Sequence, residues 1–263
     1  MSRRRDTDVA IRCIDLSVAR AGVRSAGSDR VVDGVDFCLD RAKILAILGS
    51  TGSGKSSLAA VLAGADETGL AVVGGDAWVE GIGVRRPGRA HRALTYHVGY
   101  HAQGAGASLP NRLTVDEIVG SPISARDRRV NKRALAMRTA HLLDELNLPL
   151  GTATKFPYEL SAGMRQRVAL ARALMLDPRV LIADDLVANL DVQARAAVIA
   201  AVRRRREGYG MSTLLVGNDT AAVRELGADV IVLRAGHVVA SGQGLDDIAW
   251  SPGAGPDRRL LAS

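Results

Sequence analysis

The stretch Gly49-Ser50-Thr51-Gly52-Ser53-Gly54-Lys55-Ser56 decides the fold, because two glycines bracket four residues and are followed by lysine and a hydroxyl. The apolar run 44–48 before it has the length of a buried strand, and residues 57–63 after it form a helical pattern that ends at Gly64. Strand, glycine-rich turn and helix in this order predict a loop that binds the phosphates of a nucleoside triphosphate.

Each residue type in this loop has a chemical role. The glycines allow successive backbone N–H groups and the positive end of the helix to point at phosphate oxygens. Lys55 would reach the β- and γ-phosphates, and Ser56 would offer its hydroxyl to Mg²⁺. The alternative is a Gly/Ser loop with a chance lysine, which the presence of only four lysines in the chain disfavours. The predicted contacts are Gly49, Ser50, Thr51, Gly52, Ser53, Gly54, Lys55, Ser56 and Ser57.

The composition limits the class of protein. A chain of 263 residues is long enough for one α/β domain with an inserted segment. Only 3% of the residues are aromatic, which argues against a base-stacking surface for single-stranded nucleic acid. The net charge of +7 comes mostly from arginine, and the clusters 3–5 and 203–206 are interpreted as a solvated tail and a helix end. No nucleic-acid partner is expected.

Two further features concern the compartment. Cys13 and Cys38 lie in apolar, strand-like stretches without metal-ligand spacing, so both are predicted to be reduced core residues of a cytosolic protein. No run approaches 18 apolar residues, and the N-terminus lacks the apolar core of a signal peptide. A protein of this kind that works at a membrane is expected to sit on it.

The order of patterns predicts a layered α/β protein. Residues 9–18 and 31–39 alternate as half-buried strands do and should form an antiparallel layer. Further strands are predicted at 70–73 before a Gly74-Gly75 turn, at 93–100, at 180–183, at 213–216 and in a hairpin at 230–241, with a surface loop at 81–93. Helices are predicted near 131–147, 162–176, 192–206 and 221–226, and a capping box at Thr114–Glu117 begins another.

Asp184 and Asp185 follow the short apolar run 180–183, so they lie where a buried strand ends. A carboxylate at that place, about 130 residues after the phosphate loop, is suited to hold Mg²⁺ opposite Ser56. The alternative for Asp184 alone is a helix cap. The phosphate loop favours the metal role.

Several ordered motifs resemble the ATP-binding-cassette (ABC) ATPases. The run from Glu159 to Arg167, "ELSAGMRQR", resembles the signature segment, and 188–191, "ANLD", resembles the D-loop. Gln103 stands at the place of the Q-loop glutamine. The resemblance implies an α/β P-loop NTPase core with a mostly parallel sheet, an antiparallel β layer and an inserted helical subdomain. The core would comprise 1–103 and 164–263, and the helical subdomain would comprise 104–163.

The resemblance also implies partners. In the family, two cassettes face head to tail, and each ATP lies between one chain's phosphate loop and the other's signature segment. Ser161, Gly163 and Asp191 would therefore serve a partner's ATP, whereas Gln103 would serve catalysis and Mg²⁺ in this chain. The segments "SAGMRQR" and "LIADDLVANLDVQ" are similar to those of peptide and nickel importers. That branch implies two transmembrane permease subunits, an extracytoplasmic substrate-binding protein and a place at the cytoplasmic face of the plasma membrane.

The sequence departs from the family pattern at four positions. Asp185 stands where the family usually has a glutamate that polarises the attacking water, and Asn218 stands where it usually has a histidine. Asp is one methylene shorter, which places its carboxylate roughly 1.5 Å farther back, and a misplacement of about 1 Å can cost about 10²-fold in rate. Arg20 stands in place of an aromatic residue that stacks on adenine, and Ala162 replaces a signature glycine.

These observations predict an ATP- and Mg²⁺-dependent ABC ATPase whose own site, with Lys55, Gln103, Asp185 and Asn218 in catalytic places, hydrolyses poorly. Its partner would be a second, different ATPase subunit with a competent site, and the substrate would be a peptide, a metal or a metal chelate. The alternatives are an ATP-gated scaffold, a nucleic-acid- or ribosome-associated cassette protein, or an exporter subunit.

Overall fold

The chain is described by a computed structural model that covers residues 8–20, 30–65, 69–85, 88–127 and 129–251. The predicted basic tail at 3–5 and the end of the chain, 252–263, lie outside these residues. The strands are β1 Val9–Arg20, β2 Arg30–Asp40, β3 Ile44–Leu48, β4 Leu70–Val79, β5 Ile82–Gly83, β6 Val98–His101, β7 Val180–Asp184, β8 Ser212–Val216, β9 Asp229–Arg234, β10 His237–Gly242 and β11 Ile248–Trp250.

Helices lie between β3, β6, β7, β8 and β9 in the order expected of an α/β fold. They are α1 Lys55–Ala63, α2 Arg89–His97, α3 Val115–Ser124, α4 Lys132–Glu145, α5 Ala162–Leu174, α6 Val192–Tyr209 and α7 Thr220–Leu226. Two short 3₁₀ turns, Leu150–Thr152 and Pro157–Glu159, precede α5. Thr114 caps α3 through the predicted capping box with Glu117, so local capping chemistry fixes where this helix begins.

The larger sheet has seven strands in the order β11-β10-β9-β3-β8-β7-β6. Strands β9, β3, β8, β7 and β6 run parallel to one another, and β10 and β11 add an antiparallel edge next to β9. Alternate residues of β3 face two different apolar clusters, one on each side of the sheet. The loop after β3 is thereby held at the carboxyl edge of the parallel strands, where α/β proteins bind ligands.

The smaller sheet is the predicted antiparallel layer, with the order β2-β1-β4-β5. Strand β4 runs through the Gly74-Gly75 pair, so the predicted turn there is wrong. The pairing of β1 with β4 shifts between Ile14 and Ser17, and a Cβ on Gly75 would lie 2.0 Å from the carbonyl oxygen of Asp15. The glycine pair therefore permits a bulge and the close approach of two backbones.

The structure overturns three other predictions from the sequence. The predicted loop at 81–93 contains β5 and the first half of α2, and the predicted strand at 93–100 is not one strand because α2 runs to His97 before β6 begins. Only Leu94 of α2 is buried, so one anchoring residue gave too weak a helical signal. Cys13 is buried, which raises the pKa of its thiol, but Cys38 is exposed because it lies on the opposite face of the sheet.

Helices α3 and α4 follow β6 in the chain, and α3 packs against α4 and α5. Their buried residues, such as Ile118 and Leu143, belong to the same apolar cluster as one side of the large sheet. The boundaries of the helical subdomain at 104 and 163 stay a prediction.

The arginine cluster at the end of α6 contacts its neighbours. Arg203 donates to the carbonyl oxygen of Glu225, and Arg206 donates to that of Leu226, both in the last turn of α7. Arg204 donates to the carbonyl oxygen of Glu145 in α4. Cations at helix ends stabilise the exposed carbonyl groups there. Among the described residues, no helix is long and apolar enough to cross a membrane.

Candidate nucleotide-binding site

The predicted phosphate loop connects β3 to α1. Gly54 precedes α1 with φ of 100°, and a Cβ there would lie 2.0 Å from the carbonyl oxygen of Val31. Gly49 has φ of 155°, and its Cβ would lie 2.1 Å from the carbonyl oxygen of Leu233. Only glycine fits both places, so the two motif glycines are required by neighbouring backbone as well as by the loop.

The side chain of Lys55 donates hydrogen bonds to the backbone of the phosphate loop. Its Nζ donates to the carbonyl oxygens of Gly49 at 2.6 Å and Ser50 at 2.9 Å, and it lies 3.4 Å from Ser53 Oγ. Burial lowers the pKa of Lys55, and the carboxylates of Asp184 and Asp185 oppose that shift. A buried cation held by carbonyl oxygens can exchange them for phosphate oxygens.

A cavity of about 290 Å³ opens beside the loop. It gathers most of the predicted nucleotide-binding and catalytic residues from six separate parts of the chain. Its lining consists of Arg20, Val31, Thr51, Gly52, Ser53, Gly54, Lys55, Ser56, Ser57, Gln103, Asp184, Asp185, Gly217 and Asn218. Gly49 and Ser50 contact Lys55 at its edge, whereas Ser161, Gly163 and Asp191 do not line it.

Asp184 and Asp185 lie at the carboxyl end of β7. Asp184 is 2% exposed. Asp185 adopts a left-handed conformation with φ of 53°, and its N–H donates to the carbonyl oxygen of Val216 at 2.8 Å. Its Oδ2 accepts a hydrogen bond of 2.8 Å from Nε2 of Gln103. The residue predicted to act on water is thus paired with the Q-loop amide.

The segment after β8 brings Asn218 to the phosphate loop. The Oδ1 atom of Asn218 accepts a hydrogen bond of 3.2 Å from the N–H of Gly49. Gly217 has φ of 148°, and a Cβ there would lie 2.7 Å from Asp185 Oδ1. Asp219 caps α7 and forms an ion pair with Arg195 in the first turn of α6. The hydrogen bond from Arg195 lowers the pKa of Asp219.

Sequence reasoning missed Gln166 and His101. Gln166 lies on α5 and contacts Nε2 of His101 through its Nε2 at 2.7 Å, and the same amide nitrogen lies 3.4 Å from the carbonyl oxygen of Asp185. Burial, together with the charge of Arg172, lowers the pKa of His101 to about 4. A histidine two residues before Gln103 in an apolar strand was the available signal.

The predicted signature and D-loop residues lie at helix starts. Ser161 caps α5 by accepting from the N–H of Met164 at 3.2 Å, and Asp191 caps α6 by accepting from that of Ala194 at 2.8 Å. Ala162 has helical backbone with negative φ, so the methyl in place of glycine imposes no left-handed strain.

The donor set suits Mg²⁺. Ser56, Gln103 and Asp184 present a hydroxyl, an amide oxygen and a carboxylate to one cavity, and Mg²⁺ prefers such oxygen ligands together with substrate phosphates. Within the described residues, no three His, Cys, Asp or Glu side chains cluster as a metal cage. The arrangement fits a metal that is held mainly through phosphates.

Comparison with known proteins identifies relatives. The ABC transporter family profile matches residues 32–188. The oligopeptide transport ATP-binding protein OppD of Mycobacterium tuberculosis is 34% identical over 247 residues, which cover 91% of this chain and 38% of OppD. A putative peptide import ATP-binding protein of Brucella abortus is 33% identical over 238 residues, which cover 90% of this chain and 69% of that protein. The chain thus spans 38% and 69% of the length of these two relatives.

Solved structures confirm the predicted fold. A dimeric post-hydrolysis state of the ATP-binding cassette MJ0796 bound to ADP and Pi has a TM-score of 0.77 at 21% identity, covering 93% of this chain and 100% of that one. CbiO1 from Clostridium perfringens, part of the ABC transporter complex cbiONQ, has a TM-score of 0.73 at 22% identity, covering 90% of this chain and 89% of that one. With a family profile that spans more than half of its residues, this chain belongs to the ABC transporter family.

Proposed function

We propose that this chain binds ATP and Mg²⁺ in the cavity beside the phosphate loop and is the ATPase subunit of a peptide importer. One observation carries the proposal: β3, β6, β7 and β8 bring Lys55, Gln103, Asp184 and Asn218 to one cavity. These residues are far apart in the chain and meet because β3, β6, β7 and β8 are neighbours in one parallel sheet.

The triphosphate would replace the contacts that now hold Lys55. The ammonium group of Lys55 would leave the carbonyl oxygens of Gly49 and Ser50 and bind the β- and γ-phosphates. Mg²⁺, held by Ser56, Gln103 and Asp184, would neutralise charge on the phosphates. Arg20, exposed at the end of β1 and lining the cavity, would stack on the adenine.

Hydrolysis at this site would be slow. Asp185 is one methylene shorter than glutamate, and its Oδ2 is engaged by Gln103 at 2.8 Å. A general base must lie within hydrogen-bond reach of the attacking water, and a retreat of about 1 Å can lower the rate about 10²-fold. Asn218 can donate from its amide to a γ-phosphate but cannot carry the positive charge that imidazole can.

The starts of α5 and α6 would serve a partner. Ser161 is exposed at the N-terminus of α5, and neither it nor Gly163 lines the chain's own cavity. Helix N-termini bind anions, so this end would complete the ATP site of a second, different ATPase subunit. Asp191, at the start of α6, would lie at the same interface. An impaired site here and a competent one in the partner give an unequal heterodimer.

The peptide class rests on the relatives, whose names describe oligopeptide transport in Mycobacterium tuberculosis and putative peptide import in Brucella abortus. Two permease subunits would hold the ATPase pair at the cytoplasmic face of the plasma membrane. An extracytoplasmic substrate-binding protein would choose the peptide. Closure of the pair on ATP would move the permeases between inward- and outward-facing states.

Purification of the tagged chain from its native cells in mild detergent tests this proposal. We expect a second, different ATPase subunit and two membrane proteins to be recovered with it. A tagged Gly163→Asp variant is the control, since a carboxylate there would repel the partner's γ-phosphate. That variant should lose ATP-dependent association with the second ATPase and keep the membrane proteins. Recovery of the chain alone, or paired only with itself, would refute the heterodimer and favour a scaffold.

A further inference from the structure

We propose that Gln166 is a positioning residue that couples the start of α5 to Asp185 in the same chain. This inference rests on the proposed function, in which the start of α5 binds a partner's ATP and Asp185 serves the ATP site of its own chain. It makes Gln166 the link between the two ATP sites that one chain serves.

The amide of Gln166 is held in one orientation. It is 9% exposed, and its Oε1 accepts from the N–H of Gly106 at 3.4 Å. Its Nε2 then faces two acceptors, the carbonyl oxygen of Asp185 at 3.4 Å and the ring of His101 at 2.7 Å. An amide nitrogen has two hydrogens to donate, so both acceptors are satisfied at once.

His101 fixes this arrangement from β6. The residue is 1% exposed, and the amide nitrogen of Gln166 can only donate, so Nε2 of the ring accepts. The ring proton then lies on Nδ1, which is buried without a hydrogen-bond partner among the described residues. If the amide of Gln166 rotated, its nitrogen and Nε2 of His101 would each lose a hydrogen-bond partner in the protein interior. Rotation of the amide is therefore unfavourable. The histidine therefore keeps the second hydrogen of Gln166 available to Asp185.

Asp185 is held by four hydrogen bonds. Its N–H donates to the carbonyl oxygen of Val216 in β8, and its Oδ2 accepts from Gln103. Its carbonyl oxygen accepts from the N–H of Ala188 at 3.1 Å and from Gln166 at 3.4 Å. Its φ of 53° is one that side-chain-bearing residues rarely adopt, so it persists only where neighbours hold it. The contact from Gln166 is the one that comes from α5.

The position of Gln166 on its helix places it close to the residues that would bind the partner's phosphate. Gly163 lies three residues earlier, close to one turn, and Ser161 caps the helix before it. A rigid helix transmits a shift at its start to residues in the next turn. Phosphate bound at Ser161 and Gly163 would therefore change the hold on Asp185. By thermodynamic reciprocity, MgATP in the chain's own cavity would change the start of α5.

Hydrogen–deuterium exchange measures this reciprocal effect. The full chain is labelled with and without MgATP, at a concentration where sedimentation shows a monomer in both states. Peptides from the phosphate loop and from residues 161–168 are compared. In the wild type, we expect MgATP to protect the phosphate loop and to change exchange in 161–168 about fivefold or more. In Gln166→Met, which keeps the shape without the donors, only the phosphate loop should respond.

The matched control is Val168→Ala, which truncates a buried apolar side chain of the same helix and removes no hydrogen-bond donor. It should keep the response in 161–168. If Gln166→Met does not fold, Gln166→Leu replaces it, since its side chain likewise has no hydrogen to donate. The coupling is overturned if MgATP does not change exchange in 161–168 of the wild type, or if the same change is seen in the variant that lacks the Gln166 donors. Absence of phosphate-loop protection in the wild type instead overturns nucleotide binding, and the coupling with it.

Discussion

The most quantitative prediction concerns Arg205, which joins α6 to α4. Its guanidinium donates to both carboxylate oxygens of Glu145 at 2.9 and 2.6 Å and to Asp177 at 3.2 Å. The side chains of Arg205 and Glu145 are 7% and 9% exposed. The substitution Arg205→Met would therefore leave the Glu145 carboxylate buried without its partner.

Removing one member of a buried ion pair costs about 3–5 kcal/mol. We expect Arg205→Met to lower the free energy of unfolding by that amount in urea. In a chain of this size, about 1 kcal/mol corresponds to about 2–4 °C in melting temperature, so the shift should be about 10 °C. The double variant Arg205→Met with Glu145→Leu should recover most of the loss, because replacing both charges with apolar groups is often neutral.

Arg204→Ala is the control, since Arg204 is exposed and its one hydrogen bond within the described residues is to the carbonyl oxygen of Glu145. Its cost should stay below about 1 kcal/mol. The reasoning is refuted if Arg205→Met and Arg204→Ala are equally mild, or if the double variant is no more stable than Arg205→Met.

Two further predictions concern the loop and the segment after β8. Gly54→Ala should abolish measurable MgATP binding in calorimetry, because its methyl group would meet the carbonyl oxygen of Val31. Gly52→Ala should weaken MgATP binding about tenfold or less, because Gly52 has φ of 81° but open space around it. Equal affinities of the two variants would contradict this reasoning. The lowered pKa of Asp219 means that its ion pair with Arg195 stabilises the fold above the ordinary pKa of the carboxyl, and that this contribution falls as pH drops below about 4. The urea midpoints of wild type and Asp219→Asn should therefore converge as pH is lowered from 7 to 3. A difference between the midpoints that stays constant with pH would contradict this role of the ion pair.

The sequence was informative where structure depends on local chemistry. The phosphate loop, the capping box at Thr114 and the end of β7 each follow from a few adjacent residues, and the structure has them where they were predicted. The family resemblance supplied the order of the remaining motifs, and the fold it implied is confirmed.

What could not be predicted depends on contacts between distant segments. The bulge at Gly75 exists because Asp15 lies opposite it, and the exposure of Cys38 depends on which face of β2 meets the core. The contacts of Gln166 with Gly106 and His101 join residues 60 or more positions apart, so no sequence spacing predicts them. The sequence placed Arg205 in a basic helix end, but its ion pairs depend on α4 and Asp177, which lie far from it in the chain.

Steady-state ATP turnover of the purified chain, with Lys55→Ala as the background, tests the proposal of an impaired site most directly. We predict slow turnover for the wild type and a gain of about 10²-fold in the double variant Asp185→Glu with Asn218→His, with little change in KM, because the substitutions restore the base and the charge rather than nucleotide contacts. Brisk turnover by the wild type, with no gain in the double variant, would show that Asp185 and Asn218 support hydrolysis as they stand and would contradict the unequal pair.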